Sequence, residues 1–272
     1  MLSLAAAFGC AILNGIAVIL EKTGVDQIPL TNSSFNIIWH LKNNYLYILG
    51  IILDLIAWLL TIYAVFRLPL FIVQPIIALS IIITVILENL IFKKTITSKM
   101  LISFLVIIVG LILLAMVAKT QTVPPINSNI KWSIVLFPIV LIIAGIISLK
   151  ISNKNVLAVL SGLSFGGVSI AGRVLGVHGI NLYILENPII WAIIVYGLVG
   201  IYFFTLALKK NSASLVNAIM IGAETMFPII IGVLILGDRP LNNNWYLAIS
   251  GSFLIILGTI LMNLEFQFTK IS

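Results

Sequence analysis

YLYILGIILDLIAWLLTIYAVF, residues 45–66, decides the class of fold. A membrane span needs about 20 predominantly apolar residues, and this stretch supplies them with a single charge, Asp54, near its middle. It predicts a transmembrane helix that carries one acid at the depth where water is scarcest. The whole chain follows the same pattern. Of 272 residues 61% are hydrophobic and 8% charged, more apolar surface than a soluble protein can hide, so lipid is the expected solvent for most of it.

Long apolar runs bounded by charges, Pro or Asn predict about nine spans: 2–21, 45–66, 69–92, 100–118, 131–149, 155–175, 189–208, 212–236 and 245–263. The expected fold is an all-α polytopic membrane protein. The start, MLSLAAAFGCAILNGIAVILEK, lacks the basic leader of a secretory signal and reads as a retained first helix. Between the first two spans the longest connector holds a short apolar patch, Phe35 to Trp39, which reads as an interfacial helix within 31–43. Ten of the fifteen Lys and Arg, among them Lys22, Lys93, Lys94, Lys209 and Lys210, fall on one side of the alternating topology. The positive-inside tendency then puts the N-terminus out and the C-terminus in, with the cell membrane the expected location.

The net charge of +7 accordingly reports loop orientation. No basic cluster with interleaved aromatics and no Gly-rich phosphate loop argues for nucleic acid or nucleotide, so lipids and a small solute or cation are the expected partners, with no cofactor. Cys10 is the only cysteine and reads as a packing residue. His40 and His178 lie apart, outside the spans, and do not suggest a zinc site.

Two segments of the chain share one design. When TIYAVFRLPLFIVQP (61–75) is laid over FTLALKKNSASLVNA (204–218), Ala64 meets Ala207, Arg67 meets Lys210, Val73 meets Val216 and Gln74 meets Asn217. Each helix ends in a basic residue, turns tightly and re-enters with an amide. Earlier in the chain Cys10, Asn14, Ala17 and Glu21 echo Gly162, Gly166, Ser169 and Arg173, all on one face of their helix. Helices one to four (1–118) thus match helices six to nine (155–263), with 131–149 as a connector. Because five spans separate the copies, the second crosses in the opposite sense. An inverted repeat of this kind is a common plan of transporters that alternate access between two sides. The small-residue faces suit close helix packing inside the chain and equally a homodimer.

The ionisable groups point to a site. Asp54 and Glu224 both fall mid-span without a base on their own helix, and facing lipid would cost each several kcal/mol. Both are expected to point inward, where a transported cation, a proton or a cationic substrate balances them. They are the candidates for a metal as well. Asn217 and Pro228 share the face of Glu224, and Pro228 frees the Glu224 carbonyl. Asn14 joins the candidate binding residues, and Ser80, Thr84 and Glu88 form a polar track on helix three. Thr84 and Glu88 join the candidate binding residues, although Glu21 and Glu88 lie near lysines at helix ends, where an interfacial ion pair is expected as readily as a transport role. Arg173 is expected to snorkel to headgroups, with attraction of an anion as the alternative, and Trp58, one turn from Asp54, to pack, with the floor of a ligand cavity as the alternative.

Three segments carry a resemblance: NGIAVILEKTG (14–24), AWLLTIYAVFRLPLFIVQPIIALSIIITVILENLIFKKTI (57–96) and SASLVNAIMIGAETMFPIIIGVLILGDRP (212–240). With Asn14, Gly15, Lys22 and Gly24, then Ala64, Pro69, Val73 and Pro75, the chain resembles the drug/metabolite transporter superfamily, and within it the NIPA-type magnesium transporters. The resemblance implies nine helices and transport, with magnesium as cargo. Where that branch has Pro-Leu-Gly, this chain reads Gln74, Pro75, Ile76, Ile77, which leaves selectivity open. The expected function is a secondary transporter for a small solute or divalent cation. An exporter of amino acids, metabolites or organic cations coupled to protons is the alternative. A cation channel or membrane scaffold is the alternative of another class, and nothing suggests an enzyme: Asp54 and Glu224 lack the metal set or the Ser/Lys partner that intramembrane catalysis uses.

Overall fold

The computed structural model describes residues 2–28, 41–68, 70–92, 97–117, 126–149, 155–176 and 185–268. Within them the chain forms ten α-helices: α1 (Leu2–Asp26), α2 (Tyr45–Val65), α3 (Leu70–Ile77), α4 (Ser80–Phe92), α5 (Ser98–Met116), α6 (Ser128–Ser148), α7 (Val156–Leu175), α8 (Pro188–Lys210), α9 (Ala213–Leu234) and α10 (Trp245–Phe268). The patch Phe35 to Trp39 lies outside the described residues.

Seven stretches are long and apolar enough to cross a membrane: α1, α2, Ile72–Ile91 across α3 and α4, α6, α7, α8 and α9. The two other spans expected from the sequence coincide with shorter apolar stretches, Leu101–Leu114 in α5 and Trp245–Gly258 in α10. The protein is therefore an integral, multi-pass, all-helical membrane protein.

Helix ends follow local chemistry. Asn44, Asn127 and Asn187 each accept a bond from an amide of the first turn, at Tyr47, Asn129 and Ile189, and Pro188 opens α8 where its missing N–H costs nothing. The single span expected over 69–92 breaks at Ala78 and Leu79, where the Leu79 amide bonds the Ile76 carbonyl and the Ile81 amide bonds Ala78. Pro75, inside α3, has no N–H to give the ladder.

Packing repeats in order. α1 lies on α2 and on α3 and α4, while α7 lies on α8 and α9; α5 and α10 pair with each other, and α9 also meets α3 and α4. Glycines set the closest approaches. A Cβ on Gly162 of α7 would stand 2.1 Å from the Met220 carbonyl of α9, and one on Gly110 of α5 would stand 2.7 Å from the Gly251 carbonyl of α10. Only a missing side chain permits such contact. α6 sits at the periphery: Leu136, Ile139, Val140, Ile143, Ile146 and Ile147 are exposed, as a lipid-facing surface requires. It is tied inward where Tyr196 donates to the Ile134 carbonyl at 2.8 Å.

Candidate functional site

A cavity of about 170 Å³ opens between α1, α2, α7, α8 and α9. Its wall carries Asp54 and Glu224, Asn14, Thr61 and Ser169, and the aromatic rings of Trp58, Phe165 and Phe204; among the described residues no lysine, arginine or histidine lines it. The apolar run lengths that placed Asp54 and Glu224 mid-span now have a geometric meaning, because the two acids reach one space from α2 and α9. Glu224 is buried to 6% exposure, and Asp54 keeps more of its surface open. Asn14 reaches Cys10 Sγ at 3.6 Å, and the Cys10 thiol lies 2.9 Å from Thr61 Oγ1, so the lone cysteine packs the wall below the site. The buried Trp58 indole N–H and Ser169 hydroxyl have no partner among the described residues, which leaves the wall with unused polar capacity.

Trp58 takes both of the roles expected for it, packing and lining a cavity. Its ring rests 3.3 Å from where a Gly197 Cβ would be, and it forms part of the cavity surface.

Asn217, Thr84 and Glu88 form a separate polar seam between α4 and α9. Asn217 Nδ2 donates to Thr84 Oγ1 at 2.8 Å, and Thr84 donates to the Ser80 carbonyl at 2.9 Å. Glu88 Oε2 accepts the Ser214 amide at 3.0 Å, where the Ser212 side chain makes no cap of its own. A carboxylate on the first amides of a helix also meets the positive end of its dipole, so Glu88 caps α9 from across the bundle.

Glu21 departs furthest from expectation. The interfacial ion pair belongs to its neighbour, since Lys22 bonds Asp26 at 2.7 Å and the Leu208 carbonyl at 3.0 Å. Glu21 itself is fully buried, packed on α2 at Gly50, one turn along the same face from Asp54, and neither of its carboxyl oxygens has a hydrogen-bond partner among the described residues. Gly50 makes the room: a Cβ there would stand 2.5 Å from Glu21 Cγ. The same step of four that joins Gly50 to Asp54 along α2 is a sequence signal for this pocket.

Arg173 does not snorkel. It is 1% exposed, with one guanidinium nitrogen 3.0 Å from Asp238 Oδ1 and the other donating to the Val65 carbonyl at 3.2 Å. Asp238 Oδ2 accepts the Leu70 amide at 3.1 Å. Gly237 takes a positive φ of 72°, open to glycine at little cost, and turns Asp238 inward. Burial pushes the Asp238 carboxyl above its ordinary value, opposed by the Arg173 charge and by the Leu70 and Arg173 hydrogen bonds. This lock joins α7, the end of α2, the start of α3 and the turn after α9. The sequence reading gave Asp238 no role.

Among the described residues no group of three or more His, Cys, Asp or Glu is arranged to hold a metal ion. Compared with known proteins, the chain matches no family model, no curated protein and no solved structure.

Proposed function

We propose that the protein is a secondary transporter that carries a small cation through the membrane by alternating access. The observation that carries this reading is the cavity itself, walled by acids from two regions of the chain and, among the described residues, free of basic side chains. An unpaired carboxylate in a poorly hydrated space is expensive, and a cationic cargo relieves the cost on binding. The finer topology belongs to the same proposal. Nine spans, a 1–118 repeat inverted in 155–263, the connector at 131–149, an outside N-terminus, an inside C-terminus and placement in the cell membrane all suit it. The parallel order of packing, α1 on α2 and α3–α4, α7 on α8 and α9, supports the repeat. The likeness to drug/metabolite transporters rests on the sequence segments quoted above. No catalytic step is part of this reading.

The wall favours an organic cation over magnesium. Magnesium keeps an octahedral shell of oxygens and gives up water reluctantly. Two carboxylates and an amide serve it less well than the aromatic faces of Trp58, Phe165 and Phe204 serve an alkylammonium or guanidinium group. Purified protein in liposomes, offered a panel of quaternary ammonium ions, guanidinium and magnesium under imposed gradients, tests this. Uptake of an organic cation that magnesium does not compete away is the expected outcome. Failure to move any member of the panel overturns the transport reading, and stepwise unitary currents in a planar bilayer replace it with a channel.

A further inference from the structure

We propose that Glu21 and Asp54 together form a proton-binding site, a carboxyl pair that holds one proton between helices α1 and α2 and gives it up to the cavity when a cation enters. The inference deepens the transport reading and divides its labour: Glu224 serves the cargo, and the pair serves the proton.

The geometry begins with an acceptor that has no donor. Both Glu21 carboxyl oxygens are buried and without a hydrogen-bond partner among the described residues, and the side chain packs on Gly50, one turn along the same face of α2 from the Asp54 carboxyl. Two carboxylates are acceptors only, so they can be joined only through a proton carried by one of them. Asp54 faces the cavity while Glu21 is sealed behind it, against Gly50. One member is thus placed to exchange with whatever occupies the cavity, and the other holds the proton's second oxygen away from lipid and solvent.

Among the described residues the neighbouring cations are already engaged. From α2 the Tyr47 hydroxyl is engaged with Thr205 Oγ1 of α8 at 2.7 Å. From α9 Glu224 lines the same cavity as Asp54, and from α1 the Cys10 thiol lies 2.9 Å from Thr61 Oγ1. Lys22 is held by Asp26 and the Leu208 carbonyl, and Lys209 of α8 by the Val25 and Ile28 carbonyls. Glu88 of α4 is on the Ser214 amide, Arg173 of α7 is on Asp238, and α3 has no titratable residue.

The step balances without a further reactant. The O–H bond of the shared proton breaks, its electron pair stays on the carboxylate oxygen, and the proton passes to a water in the cavity. The pair goes from one negative charge to two, and an entering monovalent cation restores the former total. Like charges this close cannot both persist without it. Cation binding and proton release are thereby linked.

Two measurements test the site separately from the cargo. Infrared spectra of the protein in lipid are expected to show a protonated-carboxyl band that Glu21→Gln and Asp54→Asn each abolish and that Glu224→Gln retains. A band that survives both changes, or no such band at any pH at which the protein is folded, overturns the proton site. The two variants check each other if one fails to fold. In liposomes, labelled tetramethylammonium is the probe, since it has no proton of its own to confuse the result. A pH gradient is expected to drive its accumulation in wild type, and E21Q to reduce that accumulation at least about tenfold while downhill flux persists and loses its pH dependence. PH-driven accumulation by E21Q equal to wild type overturns the coupling role. Absence of tetramethylammonium flux in wild type counts against the transport reading, while the infrared result still decides the pair.

Discussion

Two buried acidic places in this molecule are built in opposite ways. At the Arg173 lock a carboxylate meets a guanidinium and a backbone amide, and both side chains are at most 2% exposed. At the cavity, Asp54 and Glu224 line one space with no base among the described residues of its wall, and Glu21 lies buried against Gly50, one turn along from Asp54. The first place satisfies its charges from within the chain. The second leaves them for something that comes and goes. A paired buried ion costs most when one partner is removed, because the survivor stays uncompensated; an unpaired acid in a cavity costs least when removed, because its loss ends an unmet demand. Damage at the lock should therefore register in stability, and damage at the cavity in transport.

The largest effect is expected at the lock. Asp238→Ala strands Arg173 and the Leu70 amide, and a loss of about 3–5 kcal/mol is expected in denaturant or thermal unfolding of the purified protein. Arg173→Met combined with Asp238→Asn removes both charges and keeps an acceptor for Leu70, so the double variant should recover most of that loss. If the double variant is no better than Asp238→Ala, the contrast between the two places is wrong. Next in size is Gly162→Ala, which drives a methyl into the Met220 carbonyl and should cost about 1–3 kcal/mol, read in the same assay.

At the cavity the order reverses. Glu224→Gln keeps shape and removes charge, so stability should change by less than about 1 kcal/mol while cation uptake falls at least about tenfold. Smallest is Tyr47→Phe, which loses one hydrogen bond to Thr205; a change of about 1 kcal/mol is expected, with uptake retained.

The sequence made depth legible and left azimuth largely hidden. Apolar run length located the helices, and the cost of a mid-span charge singled out Asp54 and Glu224, which do share a cavity with Asn14. Periodicity relates residues along one helix, but it does not say which neighbour a face will meet. Asn217 shares the face of Glu224 yet bonds Thr84 on α4. Glu21 sits beside Lys22 in the chain, and one step around α1 separates an interfacial lysine from a sealed acid. Arg173 and Asp238 come together only through the turn at Gly237, a contact that no local pattern announces. Gly50, one turn before Asp54, was the available hint that α1 presses a large side chain against α2 there.

The central claim is that the cavity acids bind a cation. Equilibrium dialysis of labelled tetramethylammonium against the purified protein in detergent measures this without any need for a gradient. Saturable binding by wild type, weakened at least about tenfold by Glu224→Gln and unaffected by Tyr47→Phe, is the predicted result. Equal binding by wild type and Glu224→Gln, or no saturable binding by wild type to this ion or to guanidinium, would contradict it.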